Sequence, residues 1–245
     1  MFKFEKPLTW RYMPLYEKIK YYKDILTKDY APYVDKIDAK IMVSALTNNQ
    51  VKCAKLIRIL ESPDDFHETD INTNHIIKSA HGCGWNINID ETTTVDSVRH
   101  TLQLWNHHYD GNNEQHYQFI KPRFFIEEKI NDIVLGQTAN ANVYLIRCIH
   151  GKPFVIGVRT ELGQNSYDLN WNPVKPIEIQ IDKPKQFLKM LYYATQLSAP
   201  FEFVRIDFYI GADEDIYFSE FTFTPSGGNP FYSMQYEQLF GQLWT

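Results

Sequence analysis

Three cysteines in 245 residues, Cys53, Cys83 and Cys148, are too few and too widely spaced for a disulfide framework or a zinc knuckle. A reducing compartment is the expectation. Long hydrophobic runs are missing too: no stretch approaches the ~18 apolar residues of a membrane span, and Met1-Phe2-Lys3-Phe4-Glu5-Lys6-Pro7 lacks the apolar core of a secretion signal. The chain therefore reads as cytoplasmic, with no membrane span. Nor is there an excess of positive charge. With 25 Lys plus Arg against 30 Asp plus Glu, the net charge of -5 excludes nucleic-acid binding through bulk basicity. Glycine is scarce at 11 residues, and neither glycine-rich phosphate loop is complete. G-x-x-x-x-G-K-[ST] has no match, and G-x-G-x-x-G, begun at Gly82, fails where Ile87 takes the third glycine's place.

What is present is ordinary globular material with a surplus of rings. Hydrophobic residues make up 44% and charged ones 22%, so a folded chain is expected. The length supports one large domain or two closely packed lobes. Sixteen Tyr and sixteen Phe imply a well-filled core and a cleft with flat walls. Charge is uneven: residues 1–40 carry nine Lys or Arg and six acids, whereas residues 201–245 carry one Arg and seven acids. The acidic block needs counter-charge or open water.

Apolar spacing predicts helices through Tyr16 to Leu26, Lys36 to Leu46 and Val51 to Leu60, the last stopped by Ser62-Pro63. Strands are expected over Ile71 to Ser79 and Trp85 to Ile89, flanking the turn His81-Gly82-Cys83-Gly84, and over Phe124 to Ile130. Asp96 caps a helix ending at Leu104 or Trp105, and Asp110 to Glu114 reads as a loop. A hairpin joins Tyr144 to Ile149 with Pro153 to Val158 around His150-Gly151-Lys152. A helix from Pro184 carries Phe187, Met190, Leu191, Ala194 and Leu197 on one face before Pro200. Two last strands, Phe203 to Ile210 and Ile216 to Phe223, flank Gly211 to Asp215. The fold class is α+β.

The chemistry concentrates in that last hairpin. In Val204-Arg205-Ile206-Asp207-Phe208, Arg205 and Asp207 share one strand face, as do Glu220 and Thr222 on the partner. Near-symmetric pairing sets Asp207 opposite Glu220, with Cβ atoms roughly 5 Å apart. Carboxylates that close repel unless one takes up a proton or a divalent cation lies between them. Oxygen-only ligands, including the Thr222 hydroxyl, suit Mg2+ or Mn2+. The alternative is a plain ion pair between Glu220 and Arg205, and the spacing leaves both open. Lys78, at a strand end before Gly82 and Gly84, could meet a polyphosphate, with bare amides as donors. By itself that string reads rather as a surface lysine beside a tight turn. Glu127 and Glu128 follow an apolar strand, where backbone groups can pair with an adenine edge and a carboxylate with ribose hydroxyls. Adjacent His107 and His108 point apart and read as exposed; His75 and His116 read as strand-end or loop residues. Cys83 reads as a spectator, and Trp105, Tyr109 and Tyr117 as packing.

In order along the chain, the strings Val34-Asp35-Lys36-Ile-Asp-Ala-Lys40, Ile76-Ile-Lys78-Ser-Ala-His81-Gly82-Cys-Gly84, Ile120-Lys-Pro122-Arg-Phe-Phe-Ile-Glu127, Gly151-Lys152-Pro153 and Tyr167-Asp168-Leu-Asn-Trp171 precede the most specific pair. That pair is Phe203-Val-Arg205-Ile-Asp207-Phe-Tyr209 with Ile216-Tyr-Phe-Ser-Glu220-Phe-Thr222-Phe-Thr224-Pro225-Ser-Gly-Gly228. Together they resemble the ATP-grasp enzymes, within them the TupA-like group linked to teichuronopeptide and other polysaccharide biosynthesis. The resemblance implies an ATP-grasp fold of two α+β lobes with a nucleotide cleft between them. It divides the chain into a helical N-terminal segment (1–70), a small lobe (71–130) and a large lobe with the metal site (131–245), in one compact unit.

The implied activity is that of an ATP-dependent carboxylate-amine ligase acting through an acyl phosphate in polysaccharide or glycan modification. Its cofactors would be ATP and Mg2+ or Mn2+, and its partner a small-molecule or glycan acceptor bearing a carboxylate or amine. Lys36 and Lys78 would reach the phosphates, His81, Gly82 and Gly84 would form the closing loop, and Glu127, Glu128, Lys129 and Ile130 the hinge at the adenine. Asp207, Glu220 and Thr222 would hold the metal, and Arg205 would steady the oxyanion. Where similar proteins carry Asp-Tyr-Lys, this chain has Val143-Tyr144-Leu145, so a phosphate-side cation and a ribose-side carboxylate are missing, with Arg147 or Arg159 as the substitute. That departure keeps open a nucleotide-binding pseudoenzyme without turnover. A sugar kinase on the same fold, or an acid/base pair processing a sugar, are further alternatives.

Overall fold

A computed structural model describes residues 3–109, 115–137, 140–177 and 179–245. The loop expected over Asp110 to Glu114 lies outside the described residues. The first helical spacing forms α1, Leu15–Ile25, which turns Leu15, Lys18, Ile19 and Tyr22 inward. A short α2, Ala31–Val34, leads into α3, Lys36–Leu46, whose N-cap Asp35 accepts from the amides of Ile37 and Asp38.

The helix expected over Val51 to Leu60 is instead two strands, β1 (Lys52–Cys53) and β2 (Leu56–Leu60). A short apolar run satisfies either period, and Leu-Ile-Arg-Ile-Leu settles as a strand because Phe124–Glu128 pairs with it antiparallel. Strands β3 (His75–Ser79), β4 (Asn86–Asn88) and β5 (Phe124–Glu128) complete a four-stranded sheet in the order β2-β5-β3-β4. Helix α4, Val95–Trp105, packs on it; Thr94 rather than Asp96 is its N-cap, accepting from the Ser97 amide. The small-lobe core is Leu60, Phe66, Ile77, Ile89, Val98, Leu102, Phe124 and Ile126.

After the short pair β6 (Asn131–Asp132) and β7 (Gly136–Gln137), the chain builds the large sheet. Its strands are β8 (Val143–Ile149), β9 (Lys152–Thr160), β10 (Gly163–Tyr167), β11 (Phe203–Ile210) and β12 (Ile216–Thr222), with α5 (Phe187–Ser198) before β11 and α6 (Met234–Leu243) closing the chain. No apolar alternation in Gly-Gln-Asn-Ser-Tyr signals the strand β10. The order is β1-β12-β11-β8-β9-β10, antiparallel except that β1 runs parallel to β12.

The small lobe thus leaves the large one between β1 and β2 and returns after β5. The two crossings touch, with the Glu128 amide donating to the Lys55 carbonyl at 3.0 Å and Lys55 pairing with Glu128 at 2.9 Å. Helix α3 lies beneath the small sheet, where Ile37 packs with Ala80 and Phe125.

Aromatic residues fill the large-lobe core as expected, and they tie its first helix to its last. Trp244 stacks on Phe203 at 5.0 Å and meets Trp10 edge-on at 5.1 Å. Lys18, fully buried, donates to the carbonyls of Gly241 and Trp244 and so caps α6. Burial lowers its pKa to about 8.

Candidate functional site

Antiparallel pairing of β11 with β12 sets Asp207 directly opposite Glu220 and Arg205 opposite Thr222. A bulge follows: Phe208 faces Phe218, leaving Ser219 as the extra residue. It lets Ser219 join the Glu220 side, where its hydroxyl donates to the Tyr209 hydroxyl at 2.9 Å. The two acids differ in exposure. Asp207 is buried at 1%, whereas the Glu220 side chain is 28% exposed.

Arg205 spans them. It grips Asp207 in bidentate fashion at 2.7 and 2.6 Å, reaches Glu220 at 3.4 Å and donates to Thr222 at 3.0 Å. The ion pair offered as the alternative reading is therefore present, and it leans towards Asp207. Burial raises the pKa of Asp207 against the pull of Arg205. Burial acts the same way on Glu220, but Lys36, Arg205, Arg159 and Lys78 outweigh it and hold that pKa below the ordinary value. Among the described residues no three His, Cys, Asp or Glu side chains come together as a metal cluster. Two carboxylates and a hydroxyl are hard donors that suit Mg2+ or Mn2+ only if most of the coordination shell comes from elsewhere.

Glu220 and Thr222 open onto a cleft of about 470 Å³ that Lys36, Lys40, Lys78 and Arg159 also line. Lys36 and Lys40 lie one turn apart on α3, a spacing of four that the sequence displays. The Lys36 ammonium donates to the Gly82 carbonyl and lies 5.3 Å from the Tyr117 ring centre. Lys78 pairs with Glu127 at 2.7 Å, and Lys40 pairs with the other oxygen of the same carboxylate. For Lys78 burial is outweighed by Glu127, and its pKa is raised. For Lys40 burial wins, and its pKa is lowered. For Glu127 burial loses to the two ammoniums, and its pKa is lowered.

The remaining residues singled out in the sequence divide. Cys83 and Gly84 line the cleft, as do Tyr109 and Tyr117, which the sequence offered only as packing. The His81 side chain is buried elsewhere, its ring bonded to the Trp105 and Arg123 carbonyls at 2.9 and 3.1 Å. A Cβ on Gly82 would meet the Trp85 ring at 2.6 Å, so glycine there serves packing. Glu128, Lys129 and Ile130 border a second hollow of about 500 Å³, together with Lys52, Lys55 and Asn131. His116 is buried against Tyr117 and Phe223 rather than at a loop surface.

The position of the absent Lys is filled by Leu145, which stands opposite Asp207 and is 1% exposed. Val143 stands opposite Arg159. Both candidate substitutes share the sheet face of Asp207, because Arg147 pairs with Arg205 and Leu145 with Gly157. Arg159 is exposed and lines the cleft, whereas Arg147 is 3% exposed, sealed beneath Phe231 and Tyr232. No sequence signal separated them; the loop that covers Arg147 did.

Among the described residues no helix is long and apolar enough to cross a membrane. A family model described as TupA-like ATPgrasp matches residues 16–245. No curated protein matches by sequence. An ADP complex of N5-carboxyaminoimidazole ribonucleotide synthetase shares the fold at a TM-score of 0.50 and 11% identity, over 88% of this chain and 51% of that one. L-amino acid ligase from Bacillus licheniformis does so at 0.51 and 12%, over 80% of this chain and 44% of that one. The chain spans about half the length of these structures or less.

Proposed function

The chain belongs to the TupA-like ATP-grasp family, and on that premise we propose that it is a Mg·ATP-dependent ligase joining a carboxylate to an amine through an acyl phosphate. The observation that supports this most is Glu220, set opposite the buried Asp207, in one cleft with Lys36, Lys78 and Arg159. An acidic pair bordered by several cations suits a polyphosphate carrying a divalent ion better than it suits a neutral sugar. The metal, held by Asp207, Glu220 and Thr222, would neutralise charge on the triphosphate.

The protein's own groups do the rest. Lys36 and Lys78 take phosphate oxygens, and Glu128 to Ile130 border the hollow for the base. Cys83 and Gly84 close over the phosphates, with His81 and Gly82 anchoring the loop from behind. A substrate carboxylate oxygen attacks the γ-phosphorus as the bond to ADP breaks, and an amine then displaces phosphate from the acyl carbon. Arg205, already between the carboxylates, steadies the oxyanion of that second step. The resemblance to the TupA-like group favours an acceptor from polysaccharide or glycan modification. Leu145 beside Asp207 favours a second reading, nucleotide binding without turnover. In a kinase on this fold the product would be a phosphorylated hydroxyl rather than an amide.

Calorimetry with a nonhydrolysable ATP analogue tests the metal and nucleotide together. Added Mg2+ is expected to tighten binding to the native protein, and Asp207→Asn and Glu220→Gln to abolish that gain while circular dichroism stays native. ADP release coupled to any acceptor should fall about 100-fold or more in either variant. Binding indifferent to Mg2+, or full turnover in either variant, overturns the assignment.

A further inference from the structure

Next to Arg205 in the large sheet, on β8, stands a second arginine with a different fate. Arg147 points to the same side as Arg205 and Asp207, but its guanidinium lies under the segment that follows the last hairpin, 5.2 Å from the Phe231 ring centre and 5.5 Å from that of Tyr232. It is 3% exposed, and its Nη1 has no hydrogen-bond partner among the described residues. Arg205 takes both nearby carboxylates, Asp207 and Glu220. Glu237, the other acid on this side, is occupied by the amides of Phe231, Tyr232 and Tyr16. A buried guanidinium with no carboxylate hydrogen-bonded to it is costly, and Asp207 and Glu237 attract this one only through space.

Two further polar atoms lie in the same place. The Tyr232 hydroxyl and the Ser166 Oγ are buried and, among the described residues, have no partner but each other. Ser166 shares the sheet face through the row Leu145, Gly157, Ser166. Burial raises the Tyr232 phenol, while the charge of Arg147 and a hydrogen bond with Ser166 act the other way. Lys175 lies 4.1 Å from the centre of the same Phe231 ring, so a second cation attends the spot. The turn preceding this cover, Pro225–Gly228, lines the lysine cleft through Pro225, Ser226 and Gly227.

We infer that Arg147, with the Tyr232 and Ser166 hydroxyls, binds a carboxylate of the acceptor molecule, whose remainder reaches the cleft past Pro225–Gly228. A planar carboxylate matches the guanidinium fork and leaves an oxygen for each hydroxyl. The inference rests on the ligase reading for what happens to the acceptor, but not for the anion site itself. The substrate class follows: an acid carrying a carboxylate in addition to any group that reacts.

Succinate serves as the probe, with succinamide as its neutral counterpart and sodium chloride matched for ionic strength. Succinate is expected to bind saturably and raise the melting temperature, succinamide and chloride to do neither. Arg147→Met should weaken succinate about tenfold or more, and Tyr232→Phe, which keeps the ring, by a smaller factor. Absence of saturable succinate binding to the native protein, or undiminished binding in both variants, overturns the inference. The ATP analogue is titrated in parallel into native protein. Succinate bound without any nucleotide binding sinks the ligase reading and leaves this site standing; the reverse sinks the site alone.

Discussion

At the residue scale, the clearest pH-dependent cost belongs to His116. Burial against Tyr117 and Phe223 lowers its pKa to about 4, and its Nδ1 has no hydrogen-bond partner among the described residues. Above the ordinary value of 6.5 the ring is neutral in folded and unfolded chains alike. As pH falls below that, the unfolded chain takes up a proton while the native chain resists until about 4, so stability is lost across this window. Between pH 7 and 5 the loss from this group is roughly 2 kcal/mol. His116→Phe is expected to remove that share of the slope in urea unfolding at the two pH values; an unchanged slope would show the ring already charged or exposed. The Lys40–Glu127–Lys78 cluster follows related logic, since one buried carboxylate keeps two ammoniums tolerable.

Elements meet tightly where α6 crosses the start of α1. A Cβ on Gly241 would come within 2.5 Å of the Met13 carbonyl oxygen and 3.0 Å of the Leu15 amide, both backbone atoms that cannot step aside. Gly241→Ala gains about 1 kcal/mol of helix propensity but forces the two elements apart. A net loss of about 1–3 kcal/mol is expected, seen as a melting temperature several degrees lower. An unchanged or higher melting temperature would mean that α6 slides freely.

Elements were legible in the sequence where one face is buried and the other is not. The β11–β12 hairpin announced itself by strict alternation, down to the partnership of Asp207 with Glu220. Leu56–Leu60 misled because five apolar-rich residues fit either period and only distant Phe124–Glu128 decides. Gly163–Tyr167 was invisible because its pairing with β9, not its composition, makes it a strand. The site was legible to the same degree. Lys36, Lys78, Glu220 and Thr222 converge on one cleft, but Lys40 and Arg159 joined them through packing that the linear order conceals.

For the whole molecule, charge is arranged against its own total. A chain of net charge -5 gathers Lys36, Lys40, Lys78, Arg159 and Arg205 around one cleft. Such a concentration of one sign steers anions and is screened by salt. The association rate of a fluorescent ATP analogue is expected to fall severalfold between ~0.03 and ~0.3 M salt. Arg159→Gln should flatten that dependence, and a salt-independent rate would deny the cleft its role in capture.

The two side-by-side crossings at Lys55 and Glu128 also bear on how a small lobe could move. A lobe hung from a pair of adjacent pins would swing more readily than it would twist or slide, and α3 beneath it would serve as the doorstop. Opening and shutting would then reduce to a single angle, and whatever entered from the open side would meet Lys78 and Glu220 in the same relative orientation each time the door came to rest.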